Sequence, residues 1–278
     1  MELHLGFSPC PNDTFIFDAM LHGKIDTEGI TFIPVIEDVE TLNQKALQQE
    51  LAITKLSYHA FAHLVDKYIL LDAGSALGFG VGPLLISKNK IENIEDKIAN
   101  LKIGIPGKLT TANFLLNIAF PQAQQKVEMV FSEIENALIN EEIDLGLIIH
   151  ENRFTYAAKG LHKVIDLGSF WEQKTGSAIP LGGIVMSRKY DKQTLDKVNR
   201  IMASSVEFAM KNPLSSAAFV KQHAQEMEES VVVKHIQLYV NKYSLNLGVE
   251  GRKAVSTLLD SAVAQGLILP LTHPIFID

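Results

Sequence analysis

Cysteine occurs once, at Cys10, so no disulfide can form within the chain. Positive charge is also in short supply. The 25 Lys and Arg residues face 32 Asp and Glu, a net charge of -7, with no basic block anywhere. That balance excludes the electrostatic footprint of a nucleic-acid binder. No stretch approaches the roughly 18 uninterrupted apolar residues of a membrane-spanning helix, so the membrane is not an expected partner. The first residues, Met1-Glu2-Leu3-His4-Leu5, lack a basic segment followed by a long apolar one. Neither a signal peptide nor a lipid anchor is expected, and the sequence reads as that of a cytoplasmic protein. Internal repeats and low-complexity tracts are missing too. What remains is a globular composition, 47% hydrophobic and 21% charged. At 278 residues the chain can form one large domain or two lobes with real cores.

Strand-like runs alternate with helical patterns along the chain. Leu3–Phe7 reads as a strand and Thr14–Leu21 as a helix, with Asn12, Asp13 and Thr14 as candidate N-caps. Thr31–Val35 and Leu51–Leu56 read as strands, with helices over Val39–Glu50 and from Ser57 to Leu64. This alternation predicts a parallel sheet covered by helices. Pro83–Ser87 is extended, and polar Lys88–Asn100 reads as a hinge region. A second α/β unit follows: strands at Leu101–Ile105, Val127–Phe131, Asp144–Ile149 and Val164–Leu167, with helices over Thr110–Phe120 and Ile134–Asn140. Leu181–Ser187 reads as a return crossing, and the chain from Asp191 onward is helix-dominated. The expected fold is α/β with two lobes, the layout of a type II periplasmic-binding-protein fold, with an interlobe cleft and two crossover strands near 83–90 and 180–188. Residues 1–88 and 188–278 form the large lobe in this reading, and 89–187 the small one.

Several apparent motifs fail on spacing. Gly104-Ile105-Pro106-Gly107-Lys108-Leu109 is too short for a P-loop, and Leu109 replaces the required Ser or Thr. Gly78-Phe79-Gly80-Val81-Gly82-Pro83 leads into a strand, whereas a dinucleotide fingerprint opens a helix, so tight packing is the better account of these glycines. His59 and His63 are one helical turn apart, but no cluster supplies a third ligand, and no metal is assigned. Cys10 has no adjacent histidine to activate it, and a buried, inert thiol is expected.

Three strand ends run into polar helix starts: Ser8–Thr14, Lys55-Leu56-Ser57 and Gly104–Thr111. Helix starts present unpaired amides and a partial positive charge. With Ser57, Thr110 and Thr111 adding hydroxyls, these segments suit a small-molecule carboxylate. His150 ends the apolar run Leu145–Ile149, at the carboxyl end of a strand, where α/β proteins bind ligands. Imidazole as a group titrates near neutral pH, which suits proton abstraction. The only tryptophan, Trp171, follows Asp166-Leu167-Gly168 and serves either as a wall for a flat ligand or as packing.

These residues carry a family resemblance. Gly6-Phe7-Ser8-Pro9-Cys10-Pro11-Asn12-Asp13-Thr14-Phe15, Lys55-Leu56-Ser57-Tyr58, Ile105-Pro106-Gly107 with Thr110-Thr111-Ala112, His150-Glu151, and Asp166-Leu167-Gly168 through Pro180-Leu181-Gly182 resemble the 1,4-dihydroxy-6-naphthoate synthases of the futalosine route to menaquinone. The likeness spans nearly the whole chain. It implies a cytoplasmic carbon–carbon lyase acting on cyclic dehypoxanthinyl futalosine, with no cofactor. It implies His150 as proton acceptor, and substrate contacts from Lys55, Leu56, Ser57, Thr111 and Ala112, with Thr110 beside them. Pro9, Cys10, Asn12 and Asp13 would shape the pocket, with no catalytic step given to Cys10. Two other readings share the anion-binding features. One is chorismate dehydratase, a sister family that also carries the Asp-Leu-Gly element; the other is a non-catalytic binder of small carboxylates.

Overall fold

Leu3, Leu5 and Phe7 are buried while Glu2 and His4 face solvent, the alternation of a strand with one face in a core. This strand opens the computed structural model, which describes residues 1–224 and 228–277. In chain order the first stretch gives β1 (Glu2–Phe7), α1 (Pro11–Leu21), β2 (Thr31–Ile36), α2 (Val39–Leu47), β3 (Ile53–Ser57), α3 (Tyr58–Ala62), β4 (Tyr68–Leu70) and β5 (Ala76–Gly78). The middle stretch gives β6 (Leu84–Ser87), α4 (Ile94–Lys97), β7 (Ile103–Ile105), α5 (Thr111–Ala119), β8 (Lys126–Glu128), α6 (Ile134–Ile139), β9 (Leu145–Ile148), α7 (Asn152–Thr155), β10 (His162–Asp166) and α8 (Leu167–Thr175). Then come β11 (Ile179–Ser187), α9 (Lys192–Lys211), α10 (Ala217–His223), α11 (Glu229–Tyr239), α12 (Lys242–Leu245) and α13 (Gly248–Ala264).

The chain divides into two compact units, Met1–Gly78 with Pro180–Asp278, and Phe79–Ile179. The first holds the sheet β2-β1-β3-β11-β4, with β5 also on β11. Here β1 runs parallel to β2 and β3, and β11 antiparallel to β3 and β4. Pro34, which has no N–H to give to a ladder, sits on the edge strand β2. The core joins Leu3, Leu5 and Phe7 to Phe17 of α1, Ile184 and Met186 of β11, and Ile201 and Val206 of α9. α9 buries Val198, Ile201, Met202, Ser205, Val206 and Ala209, one stripe of a helix. Its Ser205 hydroxyl donates to Ile16 O at 2.6 Å and accepts from Met20 N at 3.2 Å, fastening α9 to α1.

The second unit is built on the sheet β10-β6-β9-β7-β8. β6 is antiparallel to β9 and β10, while β7 is parallel to β8 and β9. Its core gathers Leu84, Ile86, Ile134, Leu138, Ile143, Ile148 and Leu161.

Three expectations change. The boundaries predicted at 88 and 187 fall at 78 and 179, because β6 pairs with β9 and β10 whereas β11 pairs with β3 and β4. Residues 88–100 are no hinge: they lie inside the second unit, where Ile94 and Ile98 are buried and α4 forms. The first helix begins at Pro11, not Thr14, with Cys10 as N-cap and no side-chain cap. Proline suits the first helical turn because its missing N–H would be unpaired there.

Candidate active site

In the first unit, parallel pairing of Leu5 with Ile53 and Gly6 with Thr54 brings the carboxyl ends of β1 and β3 to one edge of the sheet. The Ser8–Thr14 segment and Lys55-Leu56-Ser57 are thereby neighbours. Gly6 leaves room for neighbouring side chains there, since a Cβ would lie 2.6 Å from Leu51 Cδ1 and 2.7 Å from Thr54 Oγ1. Asp13, in the first turn of α1, accepts from Ser8 N at 3.1 Å and Ser8 Oγ at 2.6 Å through Oδ2. Its Oδ1 accepts from Asn12 Nδ2 at 2.7 Å and from the Lys55 ammonium. The pair is buried, with side chains 1% and 6% exposed for Asp13 and Lys55. Such a pair holds only when other hydrogen bonds complete it, and Ser8 and Asn12 supply them. Asp13 is thus the counter-ion of Lys55, and its carboxylate is committed to this network rather than to capping.

Ser57 is the N-cap of α3, yet no cap bond forms from its side chain. Its N donates to Asn43 Oδ1 at 3.0 Å, and its Oγ accepts from Asn43 Nδ2 at 3.2 Å. Asn43, wholly buried on α2, had no signal in the sequence beyond a polar residue on an apolar helix face. Leu56 is wholly buried, packed within the sheet, and Gly183 pairs opposite it. Cys10 is buried and in no disulfide, and its carbonyl accepts from Asp13 N at 3.0 Å and Thr14 N at 3.1 Å. Pro9, beside it, is half-buried.

In the second unit, Ile103 pairs with Leu145 and Gly104 with Gly146, so β7 and β9 also end at one edge. Thr110, Thr111 and Ala112 follow β7, and His150 follows β9. Thr110 caps α5: its Oγ1 accepts from Asn113 N at 3.2 Å and donates to Gly107 O at 2.8 Å. The hydroxyl hydrogen of Thr110 is therefore spent within the loop. Thr111 and Ala112 are buried in the first turn of α5.

His150 stands at φ +57°, in the left-handed region that a side chain other than glycine adopts only at a cost. Its ring meets the edge of Phe131 at 5.0 Å between centroids. The following turn is clamped: Arg153 donates to Gly82 O at 2.5 Å and to Asp166 Oδ2 at 2.8 Å. Buried Glu135 accepts from Asn152 at 2.6 Å and Lys159 at 2.7 Å. Strain at a positioned residue, held by a rigid surround, is a recurring mark of functional sites.

The Asp-Leu-Gly element is structural in this unit. Asp166 caps α8 through Gly168 N at 2.8 Å and Ser169 N at 3.1 Å. Gly168 packs directly on Gly82, where a Cβ added to Gly82 would fall 2.3 Å from Gly168 Cα. Trp171 is completely buried, which makes it packing. His59 and His63 stand 5.4 Å apart ring to ring. Among the described residues no group of three His, Cys, Asp or Glu is arranged to hold a metal ion. No helix of the described residues is long and apolar enough to cross a membrane.

A family model described as menaquinone biosynthesis matches residues 3–264. The chain belongs to the menaquinone biosynthesis family. This membership is matched by a relative from Thermus thermophilus named 1,4-dihydroxy-6-naphtoate synthase, 42% identical over 99% of both chains. A crystal structure of a protein from Archaeoglobus fulgidus is 36% identical, with a TM-score of 0.90 over 96% of this chain and 98% of its own. The alkanesulfonate-binding protein of Xanthomonas axonopodis, solved with MOPS, is 13% identical with a TM-score of 0.69, covering 99% of this chain and 96% of its own. That last likeness shows the fold alone. This member of the menaquinone biosynthesis family therefore has a periplasmic-binding-protein-like fold.

Proposed function

We propose that this enzyme of menaquinone biosynthesis converts cyclic dehypoxanthinyl futalosine to 1,4-dihydroxy-6-naphthoate in the cytoplasm, with His150 as general base. The near-full-length likeness to a synthase of that name supports the activity. The observation behind the base is the left-handed backbone of His150 at the end of β9.

In this reading Lys55, Leu56, Ser57, Thr110, Thr111 and Ala112 hold the substrate. Lys55 supplies charge for its carboxylate, and Ser57 and Thr111 supply hydroxyls. Leu56 and Thr110 contribute through backbone and loop shape, because one is fully buried and the other is tied to Gly107. Pro9, Cys10, Asn12 and Asp13 shape the pocket. The imidazole removes a proton from the substrate, a carbon–carbon bond then breaks, and formation of the aromatic naphthoate ring drives the step. The electrons stay within the substrate, so the reading assigns no cofactor and no metal. A positioned base of this kind is worth about 10²–10⁴-fold in rate.

The test is incubation of the purified chain with cyclic dehypoxanthinyl futalosine, followed by chromatography for the naphthoate. Its formation is expected. Recovery of unchanged substrate, together with dehydration of added chorismate, would overturn the assignment in favour of a dehydratase.

A further inference from the structure

The buried network of the first unit continues beyond Asp13. His235, on α11, is 0% exposed, and its Nε2 lies 2.8 Å from Asn12 Oδ1. Asn12 Nδ2 lies 2.7 Å from Asp13 Oδ1, the oxygen that also receives the Lys55 ammonium. Asn12 is 4% exposed. Four side chains thus form one line from a C-terminal helix to Lys55, joining residues 223 and 42 positions apart in sequence.

The direction of every hydrogen in this line is fixed by the charge at its end. An ionised carboxylate only accepts, so Asn12 must turn its Nδ2 toward Asp13. Its Oδ1 then faces His235, and His235 must carry its hydrogen on Nε2. Were that donor lost, Asn12 Oδ1 would be left buried without its partner, and the amide would shift to recover one, moving Asp13 and its cation with it. The ammonium is a sensitive reporter of such a shift. Its side chain is 6% exposed, and Asp13 is the one hydrogen-bond partner of Nζ among the described residues, although an ammonium has three hydrogens to give.

We infer that His235 is a positioning residue for substrate binding: through Asn12 and Asp13 it aims the remaining hydrogens of Lys55 at the substrate carboxylate. This rests on the reading that Lys55 contacts the substrate. It adds a residue from α11, outside every segment that carries the family signature.

The test compares His235→Leu, His235→Gln and Lys55→Met by steady-state kinetics with cyclic dehypoxanthinyl futalosine. His235→Leu keeps apolar bulk and removes the donor. Loss of one hydrogen bond to a charged network is worth on the order of tenfold in binding, so KM is expected to rise about tenfold with kcat little changed. His235→Gln restores a side-chain N–H, and its KM is expected to return most of the way. Lys55→Met is expected to raise KM more than either. A His235→Leu enzyme with wild-type KM and only a lower melting temperature would make His235 a purely structural residue. An unaltered KM in Lys55→Met would instead sink the reading of Lys55 itself, which separates the two failures. Should His235→Leu fail to fold, ¹⁵N NMR of the wild-type imidazole decides: a hydrogen on Nε2 is expected, and one on Nδ1 alone would overturn the inference.

Discussion

The two strand-end constellations solve the problem of holding a functional side chain in different ways. Around Lys55 the solution is electrostatic: a buried cation is held by Asp13, which Ser8 and Asn12 saturate in turn. Around His150 the solution is conformational: a left-handed backbone at the end of β9, with Arg153 and Glu135 clamping the turn that follows. The first arrangement concentrates charge, the second concentrates strain. A group meant to bind an anion gains from a fixed counter-ion that orients it. In the proposed function, the strained backbone and its clamped turn hold the imidazole in place to take up a proton.

This contrast can be broken by substitution. The largest effect is expected from His150→Ala, which should lower kcat by about 10²–10⁴-fold while the circular dichroism spectrum stays native. Near-normal turnover in that variant would remove His150 from the chemistry. Next comes Asp13→Asn, which leaves Lys55 buried without its anion. A loss of about 3–5 kcal/mol in urea unfolding is expected; an unchanged midpoint would mean that the ion pair does not form in solution. Gly168→Ala forces a Cβ within 2.8 Å of Gly82 Cα and should cost about 1–3 kcal/mol by the same measurement. Wild-type stability there would show that the contact yields easily.

Backbone strain is sharpened by comparing His150→Gly with His150→Ala. Glycine enters the left-handed region freely, so the Gly variant should be more stable than the Ala variant by about 1 kcal/mol, with neither turning over. Equal calorimetric stabilities would contradict strain at this position. The smallest effect concerns pH and lies away from both constellations. Burial, with Glu50 nearby, pushes the Tyr68 hydroxyl from 10.0 up to about 12. Because the folded value is the higher one, its contribution is intact below pH 10 and is lost as the pH rises toward 12. Tyr68→Phe should therefore flatten the loss of melting temperature over that window, and an identical alkaline profile would exclude this cause.

Much of the architecture was legible in local pattern. The alternation in Leu3–Phe7, the helix opening near Thr110 and the apolar run ending at His150 are all written within a few residues. The start of α1 was misread because Asn, Asp and Thr are good caps in general, whereas here a proline already fits the first turn and Asp13 is needed elsewhere. The unit boundaries were misplaced because strand pairing, not strand position, decides membership: β6 and β11 each read as a crossing until their partners are seen. The tertiary partners were invisible for the same reason. Nothing near Lys55 announces Asp13, 42 residues earlier, and nothing near Asn12 announces His235. Asn43 reads as one more polar residue on α2 until Ser57 is placed against it.

The first sheet also ends cleanly on both sides. Pro34 leaves β2 one donor short in the middle of its outer edge. On the opposite side, the C-terminal segment lies along β4, with Leu70 N donating to Ile275 O at 3.0 Å and Ile277 N donating to Leu70 O at 3.1 Å. A second copy of the chain seeking to extend this sheet would meet an incomplete ladder at one end and an occupied one at the other. A proline and a tail segment thereby blunt the two edges of this sheet against pairing with another chain.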